Sequence, residues 1–230
     1  MSRRLTRAFV LWPILAVLAA AAPEAGGPVK HLFSERGVPA DWLARAWDDI
    51  HNAAPDGAKW EVDGRGILHG SEPRGTWLIS KAEYANFELN LDFKIPPRGN
   101  SGVALRCPLT GDPAYEGMEL QIVDPRYYDN KGDPDQLTGS LYKAVAPMKQ
   151  AFKPEAWNHY RITCRGPRVK VVLNDTLVQD VNLDEQTKPL ERGKPLKERP
   201  RRGHIGFQEL SRGGHVQIRN VTLRVLTGGR

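Results

Sequence analysis

Between residues 87 and 95 the chain alternates without interruption. Phe87, Leu89, Leu91, Phe93 and Ile95 are apolar, and Glu88, Asn90, Asp92 and Lys94 between them are polar. A helix, at about 3.6 residues per turn, would scatter those side chains around its axis. A strand sends successive side chains to opposite faces, so the pattern demands a sheet with one face buried and the other wet. The rest of the chain has to be accommodated to that sheet.

The same period returns from Trp60 to the C-terminus. Trp60 and Val62 run into the turn Asp63-Gly64 and are answered by Ile67 and Leu68, a hairpin signature. Residues 77–80 (WLIS) follow Gly75. Tyr160, Ile162 and Cys164 alternate with Arg161 and Thr163, and two further runs, 169–173 and 177–181, flank Asn174-Asp175. Ile205 and Phe207, then Val216 and Ile218, then Val221, Leu223 and Val225 close the set. A change of parity at Arg219-Asn220 predicts a β-bulge. Roughly a dozen short strands between turns predict an all-β fold, two antiparallel sheets packed as a β-sandwich of jelly-roll type. One short helix is expected where Asp41 would cap a run containing Trp42, Leu43, Ala46 and Trp47, with both tryptophans on its buried side.

The N-terminus reads differently. Arg3, Arg4 and Arg7 precede an apolar run, 8–18, and a string of alanines, the pattern of a secretory leader cleaved after Ala21. The run is too short to span a bilayer comfortably. The expected organisation is a leader (1–21), a linker (22–29), one domain (30–226) and a tail (227–230). The expected location is secreted or periplasmic, without stable membrane insertion after cleavage. The formal net charge of +6 falls to +3 without the leader, and segment 188–202 (KPLERGKPLKERPRR) alone carries +5. That segment has no interleaved aromatics, which argues against nucleic acid as a partner, and it reads as a solvated excursion. Cys107 and Cys164 both fall on apolar strand faces, where a disulfide and two buried thiols fit equally well.

The stretch 100–124 (NSGVALRCPLTGDPAYEGMELQIVD) is the one most suggestive of chemistry. It forms two strands: Val103, Leu105 and Cys107 alternate with Ala104 and Arg106, and Met118, Leu120 and Ile122 alternate with Glu119 and Gln121. A guanidinium, a carboxylate and an amide on the outward face are groups a polyhydroxylated ligand could use. The alternative is an ion pair bracing a wet face, worth about 1 kcal/mol or less. The long loop after Asp124, rich in Asp, Asn and Tyr, is of a kind that tends to carry function.

Several phrases in order carry a resemblance. They are 77–80 (WLIS) with Tyr84, 86–89 (NFEL), 100–103 (NSGV) with Arg106, 118–122 (MELQI) with Asp124, and 138–142 (TGSLY). Residues 155–158 (EAWN), Leu173-Asn174, 203–208 (GHIGFQ) and Arg219-Asn220 continue it. Together they resemble the 3-keto-disaccharide hydrolase domain, a concanavalin A-like jelly roll, in the exported form of planctomycete-type bacteria. The resemblance implies a substrate in which the 3-hydroxyl of a glycoside has become a ketone. It assigns Glu119 as base and Arg106 as stabiliser of the enolate, with Asp124 or Tyr142 protonating the leaving group. Asn100, Gln121, Tyr142 and Gln208 would bind substrate. Family members often carry a His after the residue corresponding to Gln208; here Glu209 follows, and the nearest His is His215.

Two other readings use the same residues. Glu119-x-Gln121-x-x-Asp124 echoes the Glu-x-Asp-x-x-Glu signature of laminarinase-type retaining glycosidases. Their carboxyls stand about 5–5.5 Å apart, whereas residues five apart on a regular strand are separated by roughly 16 Å. The non-catalytic reading is a carbohydrate-binding module with Trp77, Tyr127, Tyr128 and Tyr142 as stacking surfaces. Asp129, Asn130, Asp133 and Asp135 could hold a divalent cation such as calcium, or simply form turns. Phosphate-binding loops, dinucleotide fingerprints, zinc spacings and serine elbows do not occur in the sequence.

Overall fold

A computed structural model describes residues 26–228; the expected leader lies outside them. The strands are β1 (Lys30–His31), β2 (Trp42–Ala46), β3 (Trp60–Val62), β4 (Leu68–Gly70), β5 (Thr76–Tyr84), β6 (Phe87–Lys94) and β7 (Asn100–Cys107). A four-residue helix, α1 (Pro113–Glu116), precedes β8 (Met118–Val123), β9 (Asn158–Arg165), β10 (Arg168–Leu173), β11 (Thr176–Asn182), β12 (Gly203–Glu209) and β13 (Gln217–Val225). They form two antiparallel sheets. The larger runs β11-β10-β9-β6-β13-β4-β3 with β1 beside β13, and the smaller runs β2-β5-β12-β7-β8.

The alternation explains the core. Phe87, Leu89, Leu91 and Phe93 of β6 are fully buried and meet Tyr160, Ile162, Val169, Val171, Ile218 and Leu223 from their own sheet. The smaller sheet answers with Leu78, Val103, Leu105, Leu120, Ile122 and Phe207. The bulge expected at Arg219-Asn220 is present: β13 shifts register against β6 there, with Asn220 at φ 53°.

Three expectations are corrected. Residues 42–46 form an edge strand instead of a helix, with Leu43 opposite Ile79 and Ala44 opposite Leu78. An isolated short helix is marginal in water, and pairing with β5 offers these residues ladder hydrogen bonds and a packing partner for Trp42, whose ring lies 5.6 Å from that of Phe207. Second, β7 does not keep its parity to the end. Arg106 adopts φ 55°, and the β12–β7 register shifts between His204 and Gly206. Cys107 is thereby moved from the sandwich core to a small cluster on the opposite face with Ile50, Trp77, Ile79 and Ala104. Cys164 stays in the main core, and both cysteines are free.

Third, segment 188–202 is anchored. Arg199 is 4% exposed, and its guanidinium donates to the carbonyls of Ala114 (2.7 Å), Gly117 (2.9 Å) and Lys194 (2.9 Å). Leu196 is buried beside it. Replacing Arg199 by Met is expected to strand buried carbonyls, at about 1–3 kcal/mol. Thermal denaturation should show a loss of about 2–4 °C for each kcal/mol, and limited proteolysis should cut faster within 188–202.

Candidate active site

The site is built on the outer face of the smaller sheet. With Met118, Leu120 and Ile122 committed to the core, Glu119 and Gln121 must project from the other side of β8. Their partners on β7 are small: Ala104 lies opposite Glu119 and Gly102 opposite Gln121. A Cβ on Gly102 would overlap the Glu119 carboxylate, so the bare backbone is what admits the acid. Asn100 from β7 and Gln208 from β12 join on the same face. Along the free edge of β8, Gly139 N–H donates to the Gln121 carbonyl (3.1 Å) and Tyr142 N–H to the Glu119 carbonyl (2.9 Å). The 139–142 segment therefore acts as a partial sixth strand that sets Tyr142 beside Glu119.

Glu119, Gln121, Asn100 and Gln208 form the floor of a cavity of about 230 Å³. Its walls come from Trp47, Asp112, Tyr115, Tyr128, Tyr142 and Arg192. Two roomier clefts, of about 280 Å³ along residues 31–42 and about 380 Å³ around Pro96 and His215, are lined by none of the buried polar side chains. Cavity size does not mark the site; convergence of buried polar groups does. The Oδ1 of Asn100 is buried without a hydrogen-bond partner among the described residues, an acceptor that lacks a donor.

Glu119 is 3% exposed. Burial, reinforced by the negative charge of Asp112, pushes its carboxyl well above the ordinary glutamate range. Asp112 caps α1 by accepting from the Ala114 N–H at 3.0 Å. Burial raises its pKa to about 6, against the lowering effects of that N–H and of Arg192. Arg192 stacks 4.0 Å above the Tyr115 ring, and burial lifts the Tyr115 hydroxyl to about 12. The arrangement holds two proton-exchanging carboxyls, three amides and three phenols around one small space, equipment for moving protons on a polar, hydroxylated ligand.

Of the residues singled out in the sequence, Glu119, Gln121, Asn100, Tyr142 and Gln208 come together here. Arg106 does not. Its positive φ turns the side chain away, and the guanidinium donates to the carbonyls of Ala85 and Gly166, both at 2.8 Å. Asp124 does not either: it caps the turn 125–128 and holds Arg126 at 2.7 Å, and despite its burial that pairing keeps it ionised. Trp77 is buried at 0% exposure in the small outer-face cluster, whereas Trp47, expected to be buried, is 42% exposed at the cavity wall. Glu209, standing where a His was expected, is fully buried and accepts from the N–H groups of Ser211 and Val216, both at 2.8 Å. It shapes the 209–216 turn and does not line the cavity.

Asp129 pairs with Arg98 and Asp133 with Lys143, and no group of three or more His, Cys, Asp or Glu side chains suited to a metal occurs among the described residues. Asp112, Tyr115, Trp47 and Arg192 were not anticipated as site residues. Asp112-Pro113 is a cap followed by proline at the first helical position, a signal for a short helix; nothing local pointed to the other three.

Residues 38–224 match the family described as the 3-keto-alpha-glucoside-1,2-lyase-like domain. A provisionally assigned glycosyl hydrolase from Parabacteroides distasonis ATCC 8503 is 29% identical with a TM-score of 0.72, over 87% of this chain and 100% of its own. A second from the same organism is 22% identical with a TM-score of 0.66, over 86% and 94%. The laminarinase from Rhodothermus marinus, at 12% identity and a TM-score of 0.53 over 91% and 100%, shares the fold. No curated protein sequence matches the chain.

The carboxyl of Glu119 has a folded-state pKa raised above the ordinary 4.5. The stability linked to its proton is complete below that value and is lost as pH rises through the folded pKa. Gln at this position loses nothing over that range. Melting curves of Glu119→Gln and wild type should therefore diverge as pH is raised above about 4.5, with the variant increasingly the more stable. The gap should widen by about 1.4 kcal/mol per pH unit until the folded pKa is reached.

Proposed function

Because the chain belongs to the family of 3-keto-alpha-glucoside-1,2-lyase-like domains, we propose that it cleaves 3-keto-glycosides. A ketone at C3 acidifies the neighbouring C2–H. Removal of that proton gives an enolate, and collapse of the enolate expels the substituent at C1. Water added to the resulting glycal would make the net change a hydrolysis. The leader expected from the sequence of residues 1–21 would place that action outside the cytoplasm, secreted or periplasmic.

The observation that carries the reading is the Glu119 carboxyl, buried on the cavity floor with neither an N–H nor a cation of the described residues acting on it. Leaving a carboxyl so exposed to desolvation costs stability, a cost expected at a site that moves protons. The enolate oxygen needs donors, and with Arg106 absent from the cavity the candidates are the amides of Asn100, Gln121 and Gln208, the hydroxyls of Tyr115, Tyr128 and Tyr142, and the Arg192 guanidinium. The exposed indole of Trp47 offers an apolar face to the sugar or its aglycone.

A turnover assay with a 3-keto-glucoside and its unoxidised parent tests this. Release is expected from the keto compound alone, with Glu119→Gln reducing it by about 10²–10⁴-fold. Cleavage of the parent would identify an ordinary glycosidase, and binding without release a carbohydrate-binding module. Trp47→Ala is expected to raise KM roughly tenfold with kcat nearly unchanged, the mark of binding shared by ground and transition states.

A further inference from the structure

The two carboxyls of the cavity are set in unlike surroundings. Asp112 has one oxygen fixed by the Ala114 N–H, and the guanidinium of Arg192 acts on its charge from above Tyr115. Among the described residues no hydrogen-bond donor and no cation acts on Glu119, and the negative charge of Asp112 opposes its own. The remaining ionisable neighbours do not change that contrast. Asp48 and Glu116 act against a charge on Asp112, and the hydroxyls of Tyr115 and Tyr128, both lifted by burial, stay neutral beside Glu119. Negative charge is supported at Asp112 and unsupported at Glu119.

The sequence motif alone gives the role of base to Glu119. We propose the reverse division: Asp112 is the base that removes the sugar's C2 proton, and Glu119 is the acid that protonates the departing oxygen. This rests on the 3-keto-glycoside reading. In the first step the C2–H bond breaks, the proton passes to the Asp112 carboxylate, and the electron pair forms C2=C3 with the charge on the C3 oxygen. In the second the C3 carbonyl re-forms, C1=C2 is made, and the C1–O bond breaks with its electrons on the leaving oxygen. That oxygen takes the proton of Glu119. The pair ends with Asp112 protonated and Glu119 ionised, and solvent restores the starting state. The buried Oδ1 of Asn100, which has no donor among the described residues, accepts from a ring hydroxyl of the bound sugar. Burial raises both carboxyls, Asp112 to about 6 and Glu119 well above the ordinary glutamate range, the negative charge of Asp112 adding to the second.

The test separates the two steps. 1,5-Anhydro-3-ketoglucitol has no exocyclic substituent at C1 to expel, so C2–H exchange in deuterated water, followed by NMR, reads the base without release of an aglycone. Wild type and Glu119→Gln should both exchange, and Asp112→Asn should not. Release reads the acid: Glu119→Gln should lose about 10²–10⁴-fold on a 3-keto-disaccharide but stay within about tenfold of wild type on the nitrophenyl 3-keto-glucoside, whose leaving group needs no proton. Asn retains the cap acceptor, and Asp112→Ser, which also caps, guards against a folding artefact. Exchange persisting in both Asp112 variants, or lost in Glu119→Gln, overturns the division of roles. A wild type that neither exchanges the anhydro sugar nor releases from the keto-glycoside overturns the functional reading beneath it.

Discussion

The pairing of β7 with β8 decides what this molecule can present to a ligand. Val103 and Leu105 on one strand and Leu120 and Ile122 on the other must enter the core, and the opposite faces then have no choice of occupant. A slip of one residue in β8 would bury Glu119 and Gln121 between the sheets and expel Met118, Leu120 and Ile122. The register is held on both sides, by β12 against β7 and by the 139–142 segment against β8. Within it Gly102 and Ala104 are small where Gln121 and Glu119 are large, so side chains that would crowd one another on adjacent strands fit.

Much of this was legible beforehand because a period of two leaves little ambiguity. Residues 87–94 became β6 with every apolar residue inward and Ile95 buried just beyond its end, and the outward face of β8 carries the polar side chains its parity implied. The failures are local and physical. Trp42, Leu43, Ala46 and Trp47 have the spacing of a helix, but a strand edge at β5 was available to them, and no local pattern records a distant partner. Arg106 obeys the alternation up to one backbone angle, and a single positive φ sends its guanidinium to the Ala85 and Gly166 carbonyls instead of the cavity. The site shows the same division. Its floor comes from neighbouring strands and could be read, whereas Trp47, Asp112 and Arg192 are brought together only by folding.

The basic segment shows how misleading net charge is without geometry. Its seven cations suggest a solvated tether. Arg199 instead satisfies carbonyls at both ends of α1, and Arg192, a few residues earlier, lies over Tyr115 and beside Asp112. One guanidinium does the work of a helix cap and the other tempers an acidic cavity, so the segment belongs to the site's construction.

The parity reversal at Arg106 has an effect on handling as well as on shape. With Cys107 on the outer side of the smaller sheet and Cys164 in the core, the two sulfurs belong to separate apolar clusters with a layer of backbone between. Burial lifts the thiols to about 12 and about 11, which leaves almost no thiolate to be oxidised or alkylated. The folded domain is therefore indifferent to the redox potential around it. The folded state holds both sulfurs as thiols and needs no cross-link to keep its sheets together.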